Sequence, residues 1–211
     1  TTAVASSGIA TSCSGGIAAN YAFTFVAGAI TINAKGVVVT ASSPTVTYGD
    51  AVPSITPSYG DFVNGQSSTV VSNTACTTVY VRTSNVGSLP ATSCSGATAA
   101  NYSFTYTSGS VVIEKKTLTA TASSHSVTYG DAKPTVTPSY DGFVNSQNAT
   151  ALTTAPTCDT TYSTTSGFGT VASTCSGGVA TNYSFSFTPG VISVAKKTLT
   201  VTASSHIVTY G

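Results

Sequence analysis

The chain repeats itself every 81 residues. Tyr48-Gly49-Asp50 returns as Tyr129-Gly130-Asp131, and Tyr210-Gly211 opens a third copy. Asn20-Tyr21 returns as Asn101-Tyr102 and Asn182-Tyr183, and Lys35, Lys116 and Lys197 keep the same step. A fixed period of this length marks a tandem array, in which each unit is one small folded module supported by its neighbours. It also argues against an enzyme, because a catalytic constellation does not need equivalent copies along one chain. On this period the expected domains are 1–40 (the C-terminal half of a preceding repeat), 41–121 and 122–202 (two full repeats) and 203–211 (the start of a following repeat).

Only 6% of the residues are charged, and the net charge is +1. Nothing resembles the basic patch that neutralises phosphates, so no nucleic-acid partner is expected. Ser, Thr, Asn and Gly supply solubility through hydroxyls and amides. Val, Thr, Tyr and Phe favour half-buried strands. No apolar run reaches the roughly 20 residues that a membrane helix needs, so no membrane insertion is expected in this segment.

The period also orders the five cysteines. Cys76 and Cys94 fall in one repeat, and Cys158 and Cys175 fall in the next. Cys13 aligns with the second member of each pair, which places its partner before residue 1. The expected disulfides are therefore Cys76–Cys94 and Cys158–Cys175. Their spacing fits no CxxC zinc pattern, and no metal site is expected. Disulfides imply an extracellular or cell-surface location.

Within a module, Lys116–Thr121 alternates apolar and polar residues and reads as a strand. Ser126–Tyr129 continues extended into the Gly130-Asp131 turn. Pro134–Tyr140 reads as an edge segment because of its prolines. Ser146–Leu152 is the one helical stretch, with Asn145 or Ser146 as N-cap. Thr157–Thr164 and Gly169–Cys175 read as strands that the disulfide staples. Asn182–Val194 reads as a hairpin with a turn at Thr188-Pro189-Gly190. Its aromatics form the expected core: Tyr183, Phe185 and Phe187, with Tyr102 and Phe104 in the earlier copy. Lys115-Lys116 joins two modules without a flexible spacer, which implies a stiff, extended array of beads.

Few side chains suggest chemistry. Tyr48, Gly49 and Asp50, with Tyr129, Gly130 and Asp131, read as a structural turn in which Gly supplies an unusual backbone angle and Asp bonds the turn amides; the competing reading is a sugar contact. Asp50 with Asp61, or Asp131 with Asp141, offers too few oxygens for calcium. His125 and His206 occupy one repeat position in different modules and cannot share a site. An isopeptide bond near Lys115 and Glu114 is disfavoured, because Glu114 becomes Ala195 in the next repeat. Asn101, Asn182 and Asn148 head N-x-S/T sequons, and Asn148 is the best candidate for glycosylation because it lies outside a predicted strand. No cofactor is expected.

The ordered set Lys116-Thr117-Leu118-Thr119, Tyr129-Gly130-Asp131-Ala132, Gly142-Phe143-Val144-Asn145 and Asn182-Tyr183 onward resembles the MBG/YDG repeats of bacterial surface adhesins. The resemblance covers both full repeats and both partial ones. It implies mostly β, β-grasp-like modules of about 81 residues with one short helix each, strung on large secreted or surface-attached proteins. It implies adhesion or a stalk role and no catalytic residues. The expected function is a disulfide-stapled structural segment of an extracellular stalk, fibre or filament. The alternative is a glycan- or host-binding module. The expected partners are neighbouring repeats, laterally associated copies and a candidate glycan.

Overall fold

The computed structural model describes residues 3–211. The chain divides between Glu114 and Lys115 into two compact units. In the first unit, β1 (Ala5–Thr11) and β2 (Gly28–Ile32) form an antiparallel pair. A module follows, built from β3 (Lys35–Ala41), β4 (Thr45–Thr47), β5 (Pro57–Tyr59), β6 (Ala75–Thr78), β7 (Ala91–Ser95), β8 (Tyr102–Thr107), β9 (Gly109–Ser110) and β10 (Val112–Glu114). Its sheets run β5-β3-β8, β6-β7-β9 and β10-β4. The second unit repeats the plan with β11 (Lys116–Ala122), β12 (His125–Thr128), β13 (Pro138–Asp141), β14 (Thr157–Thr160), β15 (Gly169–Ser176), β16 (Tyr183–Thr188) and β17 (Gly190–Ala195). Here the sheets are β13-β11-β16 and β12-β17-β15-β14.

The central feature is a parallel ribbon that passes through both sheets. β11 pairs with β16 from Lys116↔Tyr183 to Thr121↔Thr188. β12 pairs with β17 from His125↔Ile192 to Thr128↔Ala195. Both ladders hold the same offset, 67 residues, and the Val191 N–H bonded to Ser124 Oγ at 3.0 Å keeps it across the gap. The two chain segments therefore stay side by side while both step from one sheet to the other. The first module does the same with β3–β8 and β4–β10, bridged by the Ser110 N–H on Ser43 Oγ.

This corrects the expected hairpin at Asn182–Val194. β16 and β17 do not pair with each other and lie in different sheets. Alternation along a strand identifies its buried face but not its partner, so consecutive alternating segments mimic a hairpin. Gly190 is required for a different reason from the expected turn. A Cβ there would overlap the Ala122 carbonyl oxygen and lie 2.6 Å from Ser173 Oγ. It is the place where the two strands cross most closely. The Ser123 carbonyl freed by the crossing is taken by the buried Ser173 hydroxyl at 2.8 Å. In the first module Thr92 Oγ1 donates to the Ser42 carbonyl at 2.8 Å.

The core follows the period-two pattern. Val37, Val39 and Ala41 of β3, and Leu118, Ala120 and Ala122 of β11, are buried. Val39 and Ala41 pack on Cys94, with Cys76 and Phe104 beside them. Ile192, Val194 and Tyr162 form a second cluster with Val127 and Val171. Of the expected core aromatics, Tyr102 and Tyr183 are buried and Phe104 and Phe185 half-buried, but Phe187 is 39% exposed. β16 runs out from the core, and Phe187 instead stacks on Phe185, with ring centroids 6.1 Å apart.

Three further expectations change. The helical stretch is a single 3-10 turn, Ala149–Ala151, matched by Ser68–Val70 in the first module. Its N-cap is Asn148, because Asn145 and Ser146 are held at positive φ and cannot begin a helix. The module boundaries at 40/41 and 121/122 fall inside β3 and β11, strands that pair only with later residues of their own module. Last, the β17 equivalent is split into β9 and β10. Pro90 stands where the second module has Val171. It accepts the Val111 N–H at 2.8 Å but has no N–H to return, so the ladder is interrupted there.

Residues 197–210 repeat 116–129 with only Val201 for Ala120 and Ile207 for Ser126, yet they form no strand. β11 has partners on both sides, β13 and β16; the copy at 197–210 has none among the described residues. Leu118 is fully buried, whereas Leu199 is 84% exposed. Leu118→Ala should therefore cost about 2–5 kcal/mol, and Leu199→Ala should stay within about 0.5 kcal/mol. Denaturant unfolding of the two variants measures both values; equal costs would contradict the pairing described here.

Candidate functional site

The Tyr-Gly-Asp motif sits where the parallel ribbon ends. In the first module the Asp50 N–H donates to the Thr47 carbonyl at 3.0 Å, closing a β-turn with Gly49 at φ +89°. A positive φ at the third turn position favours glycine. The Asp50 carboxylate accepts the Thr47 N–H at 2.9 Å. The second module repeats this, with Gly130 at φ +92° and Asp131 Oδ2 2.7 Å from the Thr128 nitrogen. The Tyr48 and Tyr129 N–H groups donate to the Glu114 and Ala195 carbonyls, each at 2.9 Å, and so extend the ribbon by one bond. A second tyrosine locks each turn from behind. Tyr80 and Tyr162 are buried, and their hydroxyls donate to the Asp50 and Asp131 carbonyls at 3.0 and 2.9 Å.

The disulfides tie each module's edge strand, β6 or β14, to its neighbour. Cys76 lies directly across from Cys94 in the β6–β7 ladder, and Cys158 directly across from Cys175 in β14–β15. Both expected pairs are formed, and Cys13 is free and exposed. At the start of the ribbon, Tyr102 and Tyr183 donate to Gln66 Oε1 and Gln147 Oε1, each at 2.6 Å, and pack edge-on against Phe62 and Phe143.

Electrostatics adds little. Burial, with the nearby Asp50 carboxylate second, pushes the Tyr80 phenol above its usual range. The Lys133 ammonium, 2.7 Å away, holds the Asp159 carboxyl below its usual range. Both partners of that pair are exposed, and such pairs contribute little to stability. The first module has Val52 and Thr77 there instead. His125 and His206 bond locally to Ser123 and Ser204. Among the described residues no three His, Cys, Asp or Glu side chains gather to hold a metal. Of the three sequons, Asn182 is buried and Asn101 half-buried, its Oδ1 accepting the Val4 N–H. Asn148 is exposed, and its Oδ1 accepts both the N–H and the hydroxyl of Thr150.

The turn that recurs is thus Tyr-Gly followed by a residue that closes it. A sequence model described as MBG domain (YGX type) matches residues 37–112 and again 118–193. The chain belongs to this family. Each match opens inside the first strand of the ribbon and ends inside its last, so the MBG module and the ribbon coincide. No curated protein matches the chain.

Sequence reasoning missed the residues that fasten the ribbon of the MBG module along its length. Tyr80 and Tyr162, Gln66 and Gln147, and Thr92 and Ser173 all recur, but Tyr80 and Tyr162 stand one residue out of step with the period. Their signal was the cysteine: each tyrosine follows Cys76 or Cys158 by four residues.

Two outcomes follow from this geometry. Gly130→Ala should destabilise the second unit by about 1–2 kcal/mol, since an L-residue pays that much in the left-handed region; chemical unfolding measures it. The raised Tyr80 pKa contributes stability that is present below the unfolded value of about 10 and is lost as pH rises through the folded value. Tyr80→Phe should therefore flatten the fall in urea midpoint of the first unit above about pH 10. An unchanged slope would mean that another group carries the alkaline transition.

Proposed function

We propose that these MBG modules are tension-bearing structural segments of an extracellular stalk or fibre in a larger, adhesin-like protein, and that they have no enzymatic role. The observation that supports this most directly is the direction of the ribbon. Tension enters the second module at Lys116, the start of β11, and leaves at Ala195, the end of β17. β11–β16 and β12–β17 are both parallel and share one register. Pulling from those two ends loads many ladder bonds at once in shear instead of opening them one by one.

Other features fit the same reading. Each disulfide closes a loop within its module and limits how far that module can lengthen. The modules follow one another with only Lys115 between β10 and β11. No helix of the described residues is long and apolar enough to cross a membrane, and disulfides persist in oxidising surroundings. Neighbouring repeats are the proposed partners, with lateral association through open sheet edges such as β14.

Single-molecule pulling of the second module provides the test. Attachment at positions 116 and 195 should require several-fold more force than attachment at 116 and 183. The latter pair lies at one end of the parallel ladder and peels it open. Equal forces would remove the mechanical reading. Reducing Cys158–Cys175 should lengthen the unfolded extension by about 6 nm, from a separation of 17 residues at roughly 3.5 Å each.

A further inference from the structure

We propose that the first unit carries a binding site for an acidic sugar residue, a pyranose bearing a carboxylate. The site is a concavity of about 220 Å³ beside the start of the β3–β8 ladder. It is lined by Asn33, Lys35, Asn64, Gln66, Asn101 and Tyr102. That volume is below the usual range for drug-sized ligands and suits one small ring.

The chemistry of the lining selects the ligand. Two oxygens are already committed inward: Gln66 Oε1 accepts the Tyr102 hydroxyl at 2.6 Å, and Asn101 Oδ1 accepts the Val4 N–H at 3.0 Å. Those bonds fix the two amides so that their NH₂ groups remain as donors. Asn33 and Asn64 add two further amides, and Lys35 adds an ammonium that forms no ion pair among the described residues. Asn64 is held at φ +59° in a turn closed by the Gln66 N–H on the Val63 carbonyl, which sets its position on the rigid module. Among the described residues no Asp or Glu lines the concavity. A wall with surplus donors, one cation and no carboxylate matches a ligand rich in acceptors and negatively charged. The apolar side chains of Val4, Ile32 and Val63 complete the lining and offer contact for the C–H face of a pyranose. This site is independent of the stalk reading: a stalk without a ligand and a stalk that binds sugar are both mechanically sound.

The probe is methyl glucuronide against its neutral counterpart methyl glucoside, added to the whole chain. The side-chain amide signals of Asn33, Asn64, Gln66 and Asn101 are followed by ¹H–¹⁵N NMR. Glucuronide should shift these signals saturably and bind at least about tenfold more tightly than glucoside, the scale of one charge-assisted contact. Lys35→Met should abolish that preference. Gln66→Glu keeps the acceptor for Tyr102 but places a carboxylate in the wall, and should abolish glucuronide binding while leaving the backbone spectrum folded. Equal binding of the two sugars, or glucuronide binding that survives Gln66→Glu, would overturn the assignment to an acidic sugar. No saturable shift with either sugar would overturn the site itself.

Discussion

Everything in the module depends on two chain segments staying parallel, in one register, while they change sheets together. Parallel strands need a long connection between them, and here the whole module is that connection. β13, β14 and β15 lie between β12 and β16 in sequence and are added onto the outer sides of the ribbon. The crossing imposes the tightest steric demand in the module. At Gly190 the backbone passes so close to Ala122 and Ser123 that no side chain fits. The same approach leaves a carbonyl without a ladder partner in a dry place, where an unmet acceptor would be costly. A buried hydroxyl, Thr92 in one module and Ser173 in the other, is the smallest group that satisfies it. The two modules use different residue types there and form the same bond.

The recurring residues then sort by where they act on that ribbon. Tyr102 or Tyr183, held by a glutamine, fixes its beginning. Gly109 or Gly190 permits its crossing. The Tyr-Gly-Asp turn, held from behind by Tyr80 or Tyr162, closes its end. The disulfide binds the outer strands that cover one flank. A small unit buries little apolar surface, and closing a loop of this size adds on the order of 3 kcal/mol in the chain-entropy model. The motif that names the family is therefore a fastening, and its aspartate is spent on backbone amides.

How much of this the sequence revealed depended on whether the signal was local. The period, the cysteine pairs, the strand at Lys116 and the turn at Gly130-Asp131 rest on repetition or short-range chemistry, and each is found in the structure. The hairpin failed because Tyr183, Phe185, Ile192 and Val194 announce two strand faces and cannot announce that they face partners 67 residues upstream. The N-cap failed because Asn145, Ser146 and Asn148 are equally plausible caps by composition; only the positive φ of the first two separates them. The Tyr80 and Tyr162 locks were obscured because they stand one residue out of step. The polar concavity beside Lys35 was invisible because Asn33, Asn64 and Asn101 lie far apart in sequence and converge only through the β3–β8 pairing and the bonds of the Tyr102 hydroxyl to Val63 and Gln66.

Differences between the two modules show which parts of the design tolerate change. Pro90 interrupts one ladder of β7, yet the β3–β8 pairing beside it keeps all the register of β11–β16. Lys133 and Asp159 form an exposed pair that the first module replaces with Val52 and Thr77. Ser67 and Asn148 cap the same short turn by the same bond. All of these changes lie on outer strands and loops. Within the ribbon the tolerated substitutions are of another kind, such as Val37 for Leu118 or Val39 for Ala120, which preserve the buried face. A residue on the ribbon faces two constraints at once, since it must pair sideways and pack inward. A residue on an outer loop faces one or none. That asymmetry makes the loops beside a ribbon end the region where a ligand-binding wall can be assembled without loss of the fold, and the concavity formed by Asn33, Asn64 and Asn101 lies there.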